Sequence, residues 1–268
     1  QGLKALEKMN LSIRDGQVVA LLGPSGSGKS TCLRLLSGLD VPSHGQVLSR
    51  GKVLQGINVD TSMVFQSFAL FPWETIFSNI EMALLPLGLE PAEVRTRVKR
   101  AVDLVGLEGF EEAYPRELSG GMKQRVGLAR ALAMQRPVLL LDEALTSLDV
   151  LTAETLRNEI LRIFKSKETP TKSMVVVTHN IEEAVFMADR ILLMGINPGF
   201  VRAEVNVDLP HPRDPDSSAF QNMMTRVRTL ITEAYIPDAP HVSTPAIAKA
   251  GKPRVEALPG VNIMDVMG

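Results

Sequence analysis

Gly23-Pro24-Ser25-Gly26-Ser27-Gly28-Lys29-Ser30 is the most chemically specific stretch of this chain. It has the form G-x-x-x-x-G-K-[ST], with the apolar run Val18-Val19-Ala20-Leu21-Leu22 before it and a helix-like stretch, Ser30 to Leu39, after it. Glycines let the backbone wrap so that successive N–H groups point at phosphate oxygens. The helix starting near Ser30 aims the positive end of its dipole at the same place. Lys29 adds a full positive charge for β- and γ-phosphates, and the Ser30 hydroxyl is a hard oxygen ligand suited to Mg²⁺. Thr31 stands within reach of an α-phosphate. The plainer reading is a glycine-rich turn with no ligand, and the strand-before, helix-after context weighs against it.

Other chemistry lies at the ends of apolar runs. Val138-Leu139-Leu140-Leu141 ends in Asp142-Glu143, and the C-terminal ends of parallel strands line the ligand crevice of such sheets. Asp142 is then expected to face Mg²⁺ through a water, and Glu143 to orient or deprotonate an attacking water. His179 follows Met174-Val175-Val176-Val177-Thr178 and is placed to touch the γ-phosphate and hold that water. Gln66, after Met63-Val64-Phe65, is a further group for the metal or the water. Cys32 reads as a small buried apolar residue.

The elements that position these groups alternate between strand and helix, which predicts an α/β layered fold with a mostly parallel sheet. Ile191 to Met194 is a further buried strand, and Val201, Ala203, Val205 and Val207 alternate with polar residues after the Asn197-Pro198-Gly199 turn. Val94, Val98, Val102 and Val105 mark one face of a helix opened by Pro91 and closed by Gly106. A second helix begins near Ser119 and runs to about Ala133. Residues 67 to 135 therefore read as a helical subdomain inserted in the α/β core. Phe220, Met223, Met224, Val227, Leu230 and Ile231 mark another amphipathic helix. Tyr235 to Pro259 has the Pro- and Ala-rich composition of a linker, and Val261 to Met267 reads as the opening of a further folded element.

Composition bounds the function. The chain has 268 residues, 45% hydrophobic and 22% charged, the balance of a folded protein. Lys and Arg number 29 against 30 Asp and Glu, so a globally basic nucleic-acid surface is excluded. No stretch approaches the roughly 18 unbroken apolar residues of a membrane span. The single cysteine fits a reducing compartment. The chain starts at Gln1 rather than Met, so its start is expected to be trimmed, and a C-terminal piece is expected beyond Gly268.

Leu118-Ser119-Gly120-Gly121-Met122, at the start of the second helix of the inserted block, resembles the signature motif of ABC ATPases. A serine hydroxyl and glycine amides at a helix N-terminus make a second anion site. The ordered series of phosphate loop, Gln66, signature, Asp142-Glu143, Ser147-Leu148-Asp149 and His179 resembles that family over about residues 1 to 210. The resemblance implies a P-loop α/β core with an antiparallel β subdomain and a helical subdomain. It implies a head-to-tail ATP sandwich, in which Ser119, Gly120 and Gly121 of one cassette complete the site of another, and Asp149 lies in a loop crossing the seam. Binding of two ATPs closes the dimer and hydrolysis opens it.

Phe68-Ala69-Leu70-Phe71-Pro72-Trp73, Asn197-Pro198-Gly199 and Leu209-Pro210-His211-Pro212-Arg213-Asp214 are similar to the importer ATPases of the nitrate, sulfonate, taurine and bicarbonate group. That likeness implies ATP and Mg²⁺ as cofactors and a second cassette, identical or paralogous, as partner. It also implies transmembrane permease subunits, indirectly a substrate-binding protein, and a peripheral place on the cytoplasmic face of the membrane. Phe68, Phe71 and Trp73 become contacts for a short permease helix, with ordinary core packing as the equal alternative. Residues 1–235 are expected to form the nucleotide-binding domain, and 236–268 a linker and the start of a C-terminal extension that could regulate ATPase activity. Ala144 follows Glu143 where the family usually has Pro, and the aromatic that stacks on adenine is expected before Gln1. A non-transport ABC ATPase and a nucleotide-dependent regulatory module are the competing readings. Intact Lys29, Glu143 and His179 argue against lost hydrolysis.

Overall fold

The computed structural model describes residues 4–166, 168–235 and 260–264. In chain order the elements are β1 (Leu11–Arg14), β2 (Val18–Leu22), α1 (Lys29–Ser37), β3 (Gln46–Ser49), β4 (Lys52–Val53) and β5 (Thr61–Val64). Next come α2 (Ile76–Leu84), α3 (Pro91–Leu104), α4 (Gly120–Ala133), β6 (Val138–Asp142), α5 (Val150–Ser166) and β7 (Ser173–Thr178). The last are α6 (Ile181–Met187), β8 (Arg190–Met194), β9 (Val201–Asn206), α7 (Ser218–Tyr235) and β10 (Gly260–Met264).

The central sheet has the order β5-β6-β7-β2-β8-β9. All neighbouring pairs are parallel except β8 with β9. Every residue of β2 is buried, because the strand is covered on both faces. The alternation of side chains then divides it between two cores. Val19 and Leu21 pack with Cys32, Leu33 and Leu36 of α1, while Val18, Ala20 and Leu22 belong to the larger core shared with α4, α5 and α6. α1 is thus anchored along its inner face, and its N-terminus sits at the C-terminal end of β2. The alternating pattern of β9 follows the same logic: Val201 and Ala203 are partly covered, Val205 is buried, and the residues between them are exposed.

A second, antiparallel sheet has the order β1-β10-β3-β4. Leu11 to Arg14 pairs with Ile263 to Gly260, and Val261 to Met264 pairs with Ser49 to Gln46. Within the stretch expected to open a further element, residues 261–264 are therefore part of a strand of this sheet. The expected linker lies outside the described residues, apart from Tyr235, which ends α7.

Between β5 and β6 the chain forms the helical block. α3 starts at Pro91, Val98 and Val102 are wholly buried on its inner face, and Val105, its C-cap, is wholly buried just past its end. Gly106 takes φ +63° just beyond the helix end, as its stop signal predicts. α1 ends two residues earlier than the sequence suggests. Gly38 adopts φ +72° and its N–H, with that of Leu39, closes onto the carbonyls of Leu35 and Arg34.

Candidate functional site

The phosphate loop leaves β2 at Gly23 and enters α1 at Lys29. Gly26 and Gly28 take φ of +80° and +83°, left-handed values that L side chains resist. Gly28 is the N-cap of α1, so the helix has no side-chain cap and no acidic residue in its first turn. Of the four other α-helices with a described N-cap, α3 at Glu90 also has no side-chain cap bond, and three differ. Thr75 caps α2, Ser119 caps α4 and Asn180 caps α6. The first-turn N–H groups of α1 are thus left to an outside acceptor, which is the condition for anion binding at a helix start.

Lys29 is buried, and its Nζ donates to Gly23 O at 2.9 Å and Pro24 O at 2.8 Å. Burial lowers its pKa, and the neighbouring Glu143 and Asp142 carboxylates oppose that shift. Ser30 Oγ donates to Asp142 Oδ1 at 2.9 Å, joining the helix start to the end of β6. Burial raises the Asp142 pKa, the Ser30 bond lowers it, and Glu143 adds to the rise.

Register explains why groups so distant in sequence meet. Leu22 pairs with Thr178, and Asp142 pairs with Val177, so the three strand ends lie side by side. Glu143 N–H donates to Val177 O at 3.0 Å and the residue takes φ +47°, a strained conformation for a side chain this size. Its carboxylate is the hub. Oε1 is 3.7 Å from Lys29 Nζ, and Oε2 is 3.6 Å from His179 Nδ1 and accepts a long 3.4 Å bond from Gln66 Nε2. Glu143 is 15% exposed and His179 50% exposed, so the imidazole lies on the solvent side.

Ser119, Gly120, Gly121 and Asp149 form a separate cluster. Ser119 Oγ accepts from Met122 N–H at 3.2 Å. A Cβ on Gly120 would reach Leu148, and one on Gly121 would lie 2.5 Å from Thr152 Cγ2. Asp149 Oδ1 accepts from Thr152 N–H at 3.0 Å, and its contacts with Thr152 lower its pKa. No described hydrogen bond or ion pair joins these four residues to the phosphate loop or to Asp142, Glu143 and His179.

Two features were not anticipated from the sequence. After Gln66, Phe68 and Ala69 both take positive φ, +55° and +49°. Arg130 of α4 holds them, donating through Nη2 to Phe68 O at 3.0 Å and through Nη1 to Ala69 O at 2.5 Å. Asn79 of α2, wholly buried, accepts from Phe71 N–H and donates to the carbonyls of Phe71, Glu74 and Thr75. Phe71 and Trp73 remain exposed at 40% and 69%, while Phe68 is half-buried. Below His179, Thr178 Oγ1 donates to Glu183 Oε2 at 2.7 Å and accepts from Asn180 N–H. Burial pushes the Glu183 carboxyl up to about 7; Thr178 and Arg157 pull it down and Glu143 adds a small rise. The sequence does carry Asn180-x-x-Glu183, the form of an N-cap, but such a pattern marks a helix start and not a bond to Thr178.

Cys32 is wholly buried and its thiol is pushed up to about 12 by burial, the small apolar role expected of it. Among the described residues no group of three or more His, Cys, Asp or Glu forms a metal cage. The Ser30 and Asp142 oxygens, 2.9 Å apart, fit instead a hard cation that takes one or two protein oxygens and completes its shell with phosphate and water. No helix of the described residues is long and apolar enough to cross a membrane.

Several known proteins are similar to this chain. A family model described as ABC transporter matches residues 6–146. The nitrate import ATP-binding protein NrtD of Synechocystis is 43% identical over 206 residues, 77% of this chain and 76% of that protein. The aliphatic sulfonates import ATP-binding protein SsuB of Bacillus cereus is 39% identical over 225 residues, 84% of this chain and 87% of that protein. Among solved structures, the ATP-binding cassette MJ0796, dimeric in a post-hydrolysis state bound to ADP and Pi, superposes with a TM-score of 0.67 at 32% identity. That match covers 76% of this chain and 91% of the other.

Proposed function

The chain belongs to the ABC transporter family, and from that premise we propose that it is the ATP-hydrolysing subunit of an importer for a small anion of the nitrate or sulfonate kind. The observation that carries the reading is the uncapped start of α1 beneath three aligned strand ends. Backbone N–H groups 25–31 and Lys29 hold the phosphates, with Gly23, Pro24, Ser25, Gly26, Ser27 and Gly28 shaping the loop and Thr31 at the α-phosphate. Ser30, Asp142 and Gln66 are the groups for Mg²⁺, which when bound neutralises charge developing on the β- and γ-oxygens. Glu143 takes the proton of the attacking water, and His179 and Gln66 hold that water in line. The 3.6 Å and 3.4 Å separations of those two side chains from Glu143 Oε2 support this shared target.

One cassette lacks a wall over its nucleotide. The Ser119-Gly120-Gly121 cluster, separate from the loop of its own chain, is suited to close the site of a second cassette, with Asp149 at the seam. ATP then favours the closed pair by binding it better than the open one. The exposed Phe71 and Trp73 edge, with ring centroids 5.8 Å apart, is a face for the permease. On this reading the chain lies peripherally on the cytoplasmic side of the membrane, with a substrate-binding protein acting through the permease. We read residues 1–235 as the nucleotide-binding domain and the remainder as an extension of it. The test is reconstitution: the permease that copurifies with this chain should take up nitrate or a sulfonate into vesicles only with Mg-ATP on the cassette side. Uptake without ATP, or a chain that binds no permease, refutes the importer reading.

A further inference from the structure

The Asn197-Pro198-Gly199 turn has no part in the chemistry described so far, yet it stands directly behind the phosphate loop. β8 ends at Met194, and the chain turns back into β9 at Val201, with Gly195 N–H donating to Phe200 O at 2.8 Å. Gly199 N–H donates to Ala5 O at 2.9 Å, and Glu7 N–H donates to Gly199 O at 2.8 Å. These bonds stitch the segment Ala5–Glu7 to the turn and make one wall of the two pieces.

The loop meets this wall at glycines. A Cβ on Gly199 would lie 2.1 Å from Ser27 O, a backbone atom of the loop. A Cβ on Gly28 would lie 2.3 Å from Leu6 Cδ2, and one on Gly23 would lie 2.9 Å from Met194 Cβ. Gly26, on the loop's free side, would meet nothing within 4 Å. The φ of Gly199 lies outside the left-handed range, so alanine has no backbone penalty there. What forbids a side chain is chiefly the approach to the Ser27 peptide, with the flexible end of Leu6, Cδ2 at 3.0 Å, the next contact.

We propose that this turn and the Ala5–Glu7 segment are the back wall of the phosphate loop, and that Gly199 is a positioning residue for nucleotide phosphates. The inference rests on reading residues 23–30 as the phosphate site. α1 cannot retreat, because Leu33 and Leu36 lock it into the core. The turn is fixed by its bonds to Ala5, Glu7 and Phe200. The loop is the part free to yield, and a methyl group on Gly199 displaces the Ser27 peptide by about 1 Å, enough to misaim N–H groups at a phosphate.

The test compares Gly199→Ala with Gly195→Ala in the full chain. A Cβ on Gly195 would meet the Phe200 ring at 2.4 Å, so that variant strains the same turn without touching the loop. Gly199→Ala should raise KM for Mg-ATP and Kd for ADP by about tenfold to a hundredfold, with kcat within about twofold of wild type. Gly195→Ala should lower the melting temperature and leave both constants unchanged. Leu6→Ala, which deletes the wedge against Gly28 and adds no atoms, should also raise KM, and it decides the matter if Gly199→Ala does not fold. Unchanged nucleotide affinity in Gly199→Ala and in Leu6→Ala, or equal rises in Gly195→Ala, overturns the inference. A wild-type chain that binds no ADP overturns instead the phosphate reading beneath it.

Discussion

Lys29 Nζ and Glu143 Oε1 stand 3.7 Å apart at the mouth of the phosphate loop, one side chain from the helix start and one from the end of β6. The ammonium is already held by two loop carbonyls, so the pair is an arrangement of charges and not a free ion pair. On the proposed reading, a terminal phosphate attracted by Lys29 is brought against the carboxylate that deprotonates its attacker. Glu143→Gln preserves the shape and removes the base. ATP turnover should fall by about 10²–10⁴-fold, with ATP affinity retained, because general-base catalysis contributes on that scale. Light scattering should then show an ATP-dependent dimer that persists. Wild-type turnover in this variant assigns the base elsewhere.

Lys29→Ala should act on binding. The ammonium is nearly removed from solvent, where charge-assisted bonds to phosphate are strongest. ATP affinity should fall by at least about tenfold in isothermal titration. The variant also leaves Glu143 without its cation, so the loss should be smaller for AMP, whose phosphate ends short of Lys29. An equal loss for both nucleotides contradicts placement of Lys29 at the β- and γ-phosphates.

Ser119 has two tasks that can be separated. As the N-cap of α4 it accepts from Met122 N–H, and its removal should cost about 1 kcal/mol of stability. As the wall over a second cassette's nucleotide it should matter only to dimerisation. Ser119→Ala placed in the Glu143→Gln chain should keep ATP binding and lose the ATP-dependent dimer. Ser119→Thr keeps the cap and should keep some dimer. A dimer of undiminished strength in Ser119→Ala removes the signature cluster from the interface.

The phosphate site was legible because each part has a local cause. Gly26 and Gly28 are required by positive φ, and Val18–Leu22 reads as a doubly buried strand because it is uninterrupted by polar residues. Strand register was not legible, yet the convergence of Asp142, Glu143 and His179 depends on it. The rule that strand ends line the crevice suggested that link, and the ordered family resemblance strengthened it. Arg130 and Asn79 were invisible for another reason. An arginine bonding carbonyls 61 and 62 residues away leaves no periodic trace, and a buried asparagine looks the same in sequence as an exposed one. Gly199 was noticed as part of a turn, but its close approach to Ser27 is a property of two strands meeting.

Asn79 tests whether the Phe68–Thr75 segment is held in place or merely packed. Its amide makes four bonds to that segment and has no access to water. Asn79→Ala opens a gap in the core and takes the side-chain partner from Phe71 N–H and Glu74 O, while Phe71 O and Thr75 O keep backbone donors, and should cost about 3 kcal/mol. For a chain of this size that is roughly 6–12 °C of melting temperature. Trp73 is the single tryptophan, and its fluorescence anisotropy should drop as the segment loosens. A stable variant with unaltered Trp73 anisotropy shows that Arg130 holds the segment alone.

Glu183 predicts a pH dependence with a definite sign. Its carboxyl, at 4.5 when unperturbed, is pushed to about 7, chiefly by burial. Between those values the folded chain binds more protons than the unfolded one, so stability falls as pH rises. The favourable contribution is whole below pH 4.5 and is lost as pH climbs through 7, a change of about 3 kcal/mol. His211 runs the other way: burial and nearby Arg213 lower it to about 4, so its contribution is lost as pH falls from 6.5 toward 4. The two are separated by comparing wild type with Glu183→Gln, whose amide can still accept the Thr178 hydroxyl but cannot ionise. Urea unfolding at several pH values between about 5 and 8 should show wild type losing stability relative to the variant as pH rises. Parallel stability curves across that range place the Glu183 titration outside it.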